Sequence, residues 1–343
     1  MKRSHSVFPK ILIWIIAAAC LIWVMYGVRV DELARHMRGL RLWWILPALT
    51  LDVLSTIVHG LRWQFLLRPA GEVSWHSTVK AIYAGLFVNE ILPMRTGEFV
   101  RGYLVSRWMG IPFVAVLPSM ITERVFDGSV LVIGLGVMAV FVSLPHEIAV
   151  AGVIVGGAML LAIGALVALV LFKKHRPDTS STNAGRSWKG VRHLVAFISR
   201  FAGELRSVWK ARYLVPAVTV SFAFLSLQVM SFWMVMKAYG LPVSFWVPVV
   251  VLIMVRIGTA VPNAPANIGP HQFFCVLSLT LWGFDKTTAT GFAIVLFVVL
   301  TIPLLTLGLF AFVRSGLKMS EIREARAGFK RATPNDGGAG QSM

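Results

Sequence analysis

Four stretches of the chain run for at least 18 residues without a single charged side chain: Ile11–Val28, Ile148–Phe172, Tyr213–Met236 and Thr287–Val313. Crossing the hydrocarbon core of a bilayer takes roughly 20 mostly apolar residues in a helix. In the bilayer every backbone N–H and C=O must find a partner within the element, so such runs become helices. Composition agrees: only 14% of the residues are charged and 57% are hydrophobic, whereas a soluble domain carries about 25% charged residues. A soluble enzyme is excluded.

Two further spans hold isolated charges: Leu42–Leu66 with Asp52 and Arg62, and Pro112–Leu144 with Glu123, Arg124 and Asp127. The first run is long and Trp-rich, with no small-x-small site before Arg29, so it reads as a span and not as a cleavable signal peptide. Two apolar regions, Val79–Trp108 and Ser244–Trp282, are broken in the middle by Pro and Gly, at Leu92–Gly97 and at Val261–Pro270. Each half is only about 12–16 residues, short for a full crossing. Both regions are expected to be helical hairpins that enter and leave the bilayer on one side.

Charge placement orients the spans. The net charge is +18, which in a soluble protein would suggest nucleic acid. Here Lys2, Arg3, Lys10, Arg68, Lys80, the ten basic residues from Lys173 to Arg212, and Arg314 through Arg331 all fall on one side if the two broken regions are re-entrant. Basic residues concentrate on the cytoplasmic side, so both termini are expected in the cytoplasm and no nucleic-acid partner is expected. Counting the broken regions as full spans would move the 173–212 run outside, against that rule. Arg29–Arg41 and Lys189–Arg212 are amphipathic and basic. They read either as interfacial helices on anionic lipid or as linker helices packed on the bundle. Residues 316–343 read as a cytoplasmic tail, disordered in part.

The fold class expected is therefore an all-α polytopic membrane protein, residues 1–315, with six spanning helices and two re-entrant hairpins. It contains a repeat. Residues 42–144 and 213–313 each read span, broken hairpin, span, in opposite orientations, with helix 148–172 and the basic linker 173–212 between them. The breaks correspond as Pro93-x-x-x-Gly97 and Pro265-x-x-x-Gly269. Inverted repeats with interrupted helices are a transporter device, with the substrate site between the repeats.

Charges inside a bilayer are costly unless paired or wet, which makes each one a functional candidate. The first break reads Asn89-Glu90-Ile91-Leu92-Pro93-Met94-Arg95-Thr96-Gly97-Glu98-Phe99-Val100-Arg101. A half-helix N-terminus favours an anion, and Arg95 and Arg101 suit phosphate. Arg95 reads as phosphate-facing or as a structural pairing residue, and Glu98 and Arg101 as a pair one turn apart. In the next span Glu123 and Asp127 share a helix face with Arg124 beside them; they contact substrate or hold the arginines of the first hairpin. The second hairpin offers Arg256, Asn263, Asn267, His271 and Gln272. Asp52 and Arg62 read as a local pair or as end-of-span charges. No metal-spaced His/Cys/carboxylate set, nucleophile elbow or nucleotide-binding glycine pattern occurs, so no metal or cofactor is expected.

Asn89-x-x-Leu92-Pro93-x-Arg95-x-Gly97-Glu98-x-x-Arg101, then Glu123-Arg124-x-x-Asp127 and the Pro265-x-x-x-Gly269 hairpin, resemble the lysylphosphatidylglycerol synthase transmembrane family over about residues 10–315. That family includes the flippase portion of the multiple peptide resistance factor. The resemblance implies movement of a phospholipid or lipid-linked phosphate between leaflets of a bacterial inner membrane. It implies substrate-binding roles for Asn89, Arg95, Glu98, Arg101, Glu123, Arg124, Asp127, Asn263, Asn267 and Gln272. Where the family's second hairpin carries an acid, this chain has Gln272. A soluble aminoacyl-transferase domain is not expected after Arg331, nor is lysine transfer. Two other classes stay open: a membrane-embedded lipid-modifying enzyme with Glu98 or Asp127 as acid/base, and a non-catalytic partner of such an enzyme.

Overall fold

The computed structural model describes residues 8–93, 95–141, 203–260 and 264–317, with scattered positions between 150 and 168. Most of the helix expected over 148–172, most of the basic linker and the tail beyond residue 317 lie outside the described residues; the positions described between 150 and 168 are helical. All regular structure among the described residues is helical. In order these are α1 (Phe8–Met25), α2 (Val30–Arg38), a 3-10 turn (Leu42–Trp44), α3 (Ile45–Leu67), α4 (Trp75–Ile91), α5 (Gly97–Met109), α6 (Phe113–Phe141), α7 (Ala211–Ala238), α8 (Trp246–Ala260), a 3-10 turn (Pro265–Asn267), α9 (Pro270–Leu281) and α10 (Lys286–Val313).

Among the described residues, three helices are long and apolar enough to cross a membrane: Leu42–Leu67, Ala211–Ala238 and Lys286–Val313. A fourth is added if α1 and α2, bent by 84° at their junction, count as one broken span. Helix α6, at 29 residues, is long enough at about 1.5 Å per residue, but it carries Glu123, Arg124 and Asp127. Large apolar side chains such as Ile15, Phe222, Ile302 and Phe310 are exposed on α1, α7 and α10. A hydrocarbon surround accommodates such faces, whereas water penalises extended apolar patches.

Both Pro/Gly-broken regions form antiparallel helical hairpins. In the first, Gly85 of α4 meets Gly97 of α5: a methyl on Gly97 would lie 1.7 Å from the Gly85 carbonyl oxygen. Lower down, the Lys80 ammonium sits over the Trp108 ring at 5.0 Å. In the second, Gly258 of α8 faces the Phe274 ring of α9. Proline explains the breaks, since it removes a donor and disfavours helix at the preceding residue.

The two breaks agree at their third residue, although Gly269 is left-handed at φ 94° and Gly97 is not. Arg95, third residue of Pro93–Gly97, has φ 51°, and Asn267, third residue of Pro265–Gly269, has φ 52°. Left-handed backbone is uncommon for residues other than glycine and costs of order 1–3 kcal/mol. The glycine N–H is capped by a carboxamide in both: Gly97 donates to Asn89 Oδ1 at 2.7 Å and Gly269 donates to Gln272 Oε1 at 2.8 Å.

Two large apolar clusters fill the described helices, and each draws on both halves of the chain, Ala217 and Ala311 joining the first and Ala48 the second. One gathers Trp63, Leu66, Ile82, Val88, Leu104 and Val116 from α3 to α6. The other gathers Phe232, Met236, Val251, Val276 and Phe292 from α7 to α10. Helices α3 and α7 form the most extensive helix pairing among the described residues. These run antiparallel, with the Ser231 hydroxyl donating to the Ala48 carbonyl at 2.9 Å and His59 stacked near Phe224 with centroids 5.1 Å apart.

Candidate functional site

Glu123 is fully buried in α6, and a carboxylate there demands partners. It has three. Arg62 of α3 donates to its Oε1 at 2.9 Å. Arg101 of α5 reaches Oε1 at 3.1 Å and Oε2 at 3.0 Å. His59, one helical turn before Arg62, places Nε2 on Oε1. Arg62 is itself buried and spans to a second acid, with NH1 donating to Asp127 Oδ1 at 2.9 Å. The i, i+4 spacing of Glu123 and Asp127 thus lets one guanidinium fork across both. Arg101 also lies over the Trp63 ring at 4.9 Å.

Around this buried hub sits a more open rim. Arg124 is 42% exposed and faces Glu98 at 3.6 Å, Asp127 at 3.5 Å and Glu123 at 3.9 Å. Arg95 pairs with Glu98 at 3.7 Å and donates across to the Thr259 carbonyl at the end of α8, tying one hairpin to the other. Arg256 of α8 donates to the Gln228 carboxamide of α7. Two guanidiniums, Arg62 and Arg256, each lie 5.2 Å from the centroid of the Phe224 ring. A cleft enclosing about 250 Å³, its open mouth included, is lined by His59, Asn89, Glu98, Arg101 and Arg124.

Six of the residues singled out in the sequence therefore converge: Arg95, Glu98, Arg101, Glu123, Arg124 and Asp127. Glu98 and Arg101 do not pair with each other; Glu98 faces Arg95 and Arg124, and Arg101 belongs to Glu123. Asn89 lines the cleft, yet its side-chain oxygen is taken by the Gly97 amide, so the α5 N-terminus is already capped. Gln272 likewise caps α9. Asn267 ends the 3-10 turn of the second break. Asn263 lies outside the described residues.

Arg62 is neither a partner of Asp52 nor an end-of-span charge, because ten residues of helix put the two about 15 Å apart along the axis. Its partners stand 61 and 65 residues further on. His59, Phe224 and Gln228 were also missed. The signal for His59 was its position one turn from Arg62, on the same face. Among the described residues no group of three His, Cys or carboxylate side chains is arranged to hold a metal ion.

An all-helical multi-pass membrane protein with an arginine–carboxylate cluster where the first hairpin meets α3 and α6 is the class these features define. Residues 10–308 match the family described as "Lysylphosphatidylglycerol synthase TM region", and the chain belongs to that family. Among curated proteins and among solved structures nothing matches the chain.

Proposed function

We propose that this protein is a translocase for a lipid with an anionic headgroup, with the Arg124-lined cleft as its headgroup site. The observation that carries the reading is a charge imbalance. Five guanidiniums, Arg62, Arg95, Arg101, Arg124 and Arg256, stand with three carboxylates, Glu98, Glu123 and Asp127, in one electrostatically connected cluster. Uncompensated charge at low dielectric is expensive, and a phosphate in the cleft relieves it. Arg124 is the guanidinium most open to such a ligand.

The antiparallel α3 and α7, the matching breaks and the hairpin-to-hairpin bond from Arg95 to Thr259 support an inverted repeat with the site at its centre. In this reading the hairpins are re-entrant, the acyl chains stay in hydrocarbon, and only the headgroup passes the cluster. The basic loops favour cytoplasmic termini and the inner membrane of a bacterium. An acid/base enzyme has one observation in its favour, His59 at the cleft with Nε2 on Glu123. Against it, Glu98 and Asp127, the acids available for that chemistry, are engaged by arginine.

The test is leaflet exchange in sealed proteoliposomes. Headgroup-labelled anionic phospholipid in the inner leaflet should become accessible to an impermeant quencher faster with protein than in empty vesicles. Rates equal to those of empty vesicles under all lipid compositions would refute the proposal.

A further inference from the structure

Among the described residues, Arg256 is the guanidinium of the cluster that pairs with no carboxylate. Its acceptor is the neutral carboxamide of Gln228, and one face is covered by Phe224. Asp127 is within electrostatic reach, but its oxygens are committed to Arg62 and Arg124. The other carboxylates of the described spans, Asp52 and Glu90, interact with none of these cations. Five guanidiniums against three carboxylates leave an excess of two positive charges among the described residues; Arg256 has no acid partner there, and Arg124, which faces three acids, is 42% exposed. The Nε atoms of Arg62, Arg101 and Arg124 and one terminal nitrogen of Arg101 are buried without an acceptor. Arg256 does not itself line the cleft, but it lies within electrostatic reach of Arg124.

A phosphate diester brings one negative charge, and a zwitterionic headgroup brings none net. A phosphate monoester brings about 1.5 to 2 at neutral pH, with three acceptor oxygens. From the charge count and from the unpaired Arg256, we infer that the site is built for a lipid phosphomonoester, held between Arg124 of the first unit and Arg256 of the second. The inference rests on the headgroup-site reading above and sharpens it to one headgroup class. Guanidinium forks suit the multiple oxygens of such a group. Gln228, by remaining neutral, keeps Arg256 available for it.

The experiment is competition binding to the purified full chain in detergent. The probes are dioctanoyl phosphatidic acid, dioctanoyl phosphatidylglycerol and soluble glycerol 3-phosphate. The wild type is expected to prefer phosphatidic acid over phosphatidylglycerol by at least ~tenfold, the ratio that about 1.4 kcal/mol gives. Gln228→Glu supplies Arg256 with its own carboxylate, and Arg256→Gln removes the charge. Both should bring the two lipids to near-equal affinity while phosphatidylglycerol still binds. Gln228→Glu adds a compensating charge, so it keeps the test decisive if Arg256→Gln does not fold. Equal affinities in the wild type, or a preference that survives Gln228→Glu, would overturn the monoester assignment and leave the translocase reading standing. Failure of both lipids to bind would sink the two together. Glycerol 3-phosphate competing as well as phosphatidic acid would overturn a lipid as the source of the phosphate.

Discussion

Glu123→Gln is the sharpest probe of how the cluster is held. Glu123 is fully buried and is the acid of Arg101, which is itself only 4% exposed and meets Oε1 and Oε2 at 3.1 and 3.0 Å. Arg62 keeps Asp127 at 2.9 Å after the change, so one guanidinium is stranded, not two. Removing one partner of a buried pair costs about 3–5 kcal/mol. Asp127→Asn is the comparison. Asp127 is 18% exposed, and its partners Arg62 and Arg124 retain Glu123 and Glu98, so the cost should be nearer that of one unsatisfied group, about 1–3 kcal/mol. The double variant Glu123→Gln/Arg101→Met replaces the pair by neutral groups of similar bulk against Trp63, and should regain much of the loss. Reversible denaturant titration in mixed micelles, followed by tryptophan fluorescence, measures all three. Equal costs for Glu123→Gln and Asp127→Asn, or no recovery in the double variant, would refute Glu123 as the hub.

Gly97→Ala places a methyl 1.7 Å from the Gly85 carbonyl oxygen and should destabilise by about 1–3 kcal/mol through overpacking; Gly136→Ala, with nothing within 4 Å, should be near-neutral in the same titration. Asn89→Ala removes the cap on the Gly97 amide and should cost about 1 kcal/mol; unchanged stability would show that the cap is not structural. At the start of α10, outside the span, partial burial raises the Asp285 carboxyl, but hydrogen bonds from Thr288 and the Thr287 amide outweigh it and hold the group below its ordinary value of 3.8. Its stabilisation is therefore present above that value and is lost as pH falls through the depressed one. Asp285→Ala should cost about 1 kcal/mol at neutral pH, and the difference from wild type should vanish in acid.

The helical class and both hairpins were legible because apolar run length and Pro/Gly breaks are local properties of the chain. The six converging residues were legible too, since a charge within an apolar run is conspicuous whatever it contacts. What escaped was the wiring. Arg62 reaches Glu123 and Asp127 only through the docking of α3 on α6, and nothing in the spacing of Leu42–Leu66 encodes that contact. Arg256 stood out as a hairpin residue, but that no acid pairs with it among the described residues is visible only once every carboxylate nearby is assigned. Asn89 and Gln272 illustrate the converse: polar residues beside a break suggested ligand contact, and their side-chain oxygens instead cap the helix that follows the break. The correspondence of Arg95 and Asn267 in backbone conformation likewise lies below the level of a Pro-x-x-x-Gly match.

The most direct measurement is the initial rate of anionic-lipid exchange for Arg124→Gln against wild type at equal protein per vesicle. Arg124 is the half-exposed cation of the cleft, and its loss removes one charge-assisted contact, about 1.5–3 kcal/mol, or about ten- to a hundredfold in rate if that contact forms as the headgroup passes. A fall of that size, with the variant folded and phosphatidylcholine exchange unaffected, is the expected result. An unchanged rate would contradict a lipid headgroup passing through the arginine cluster.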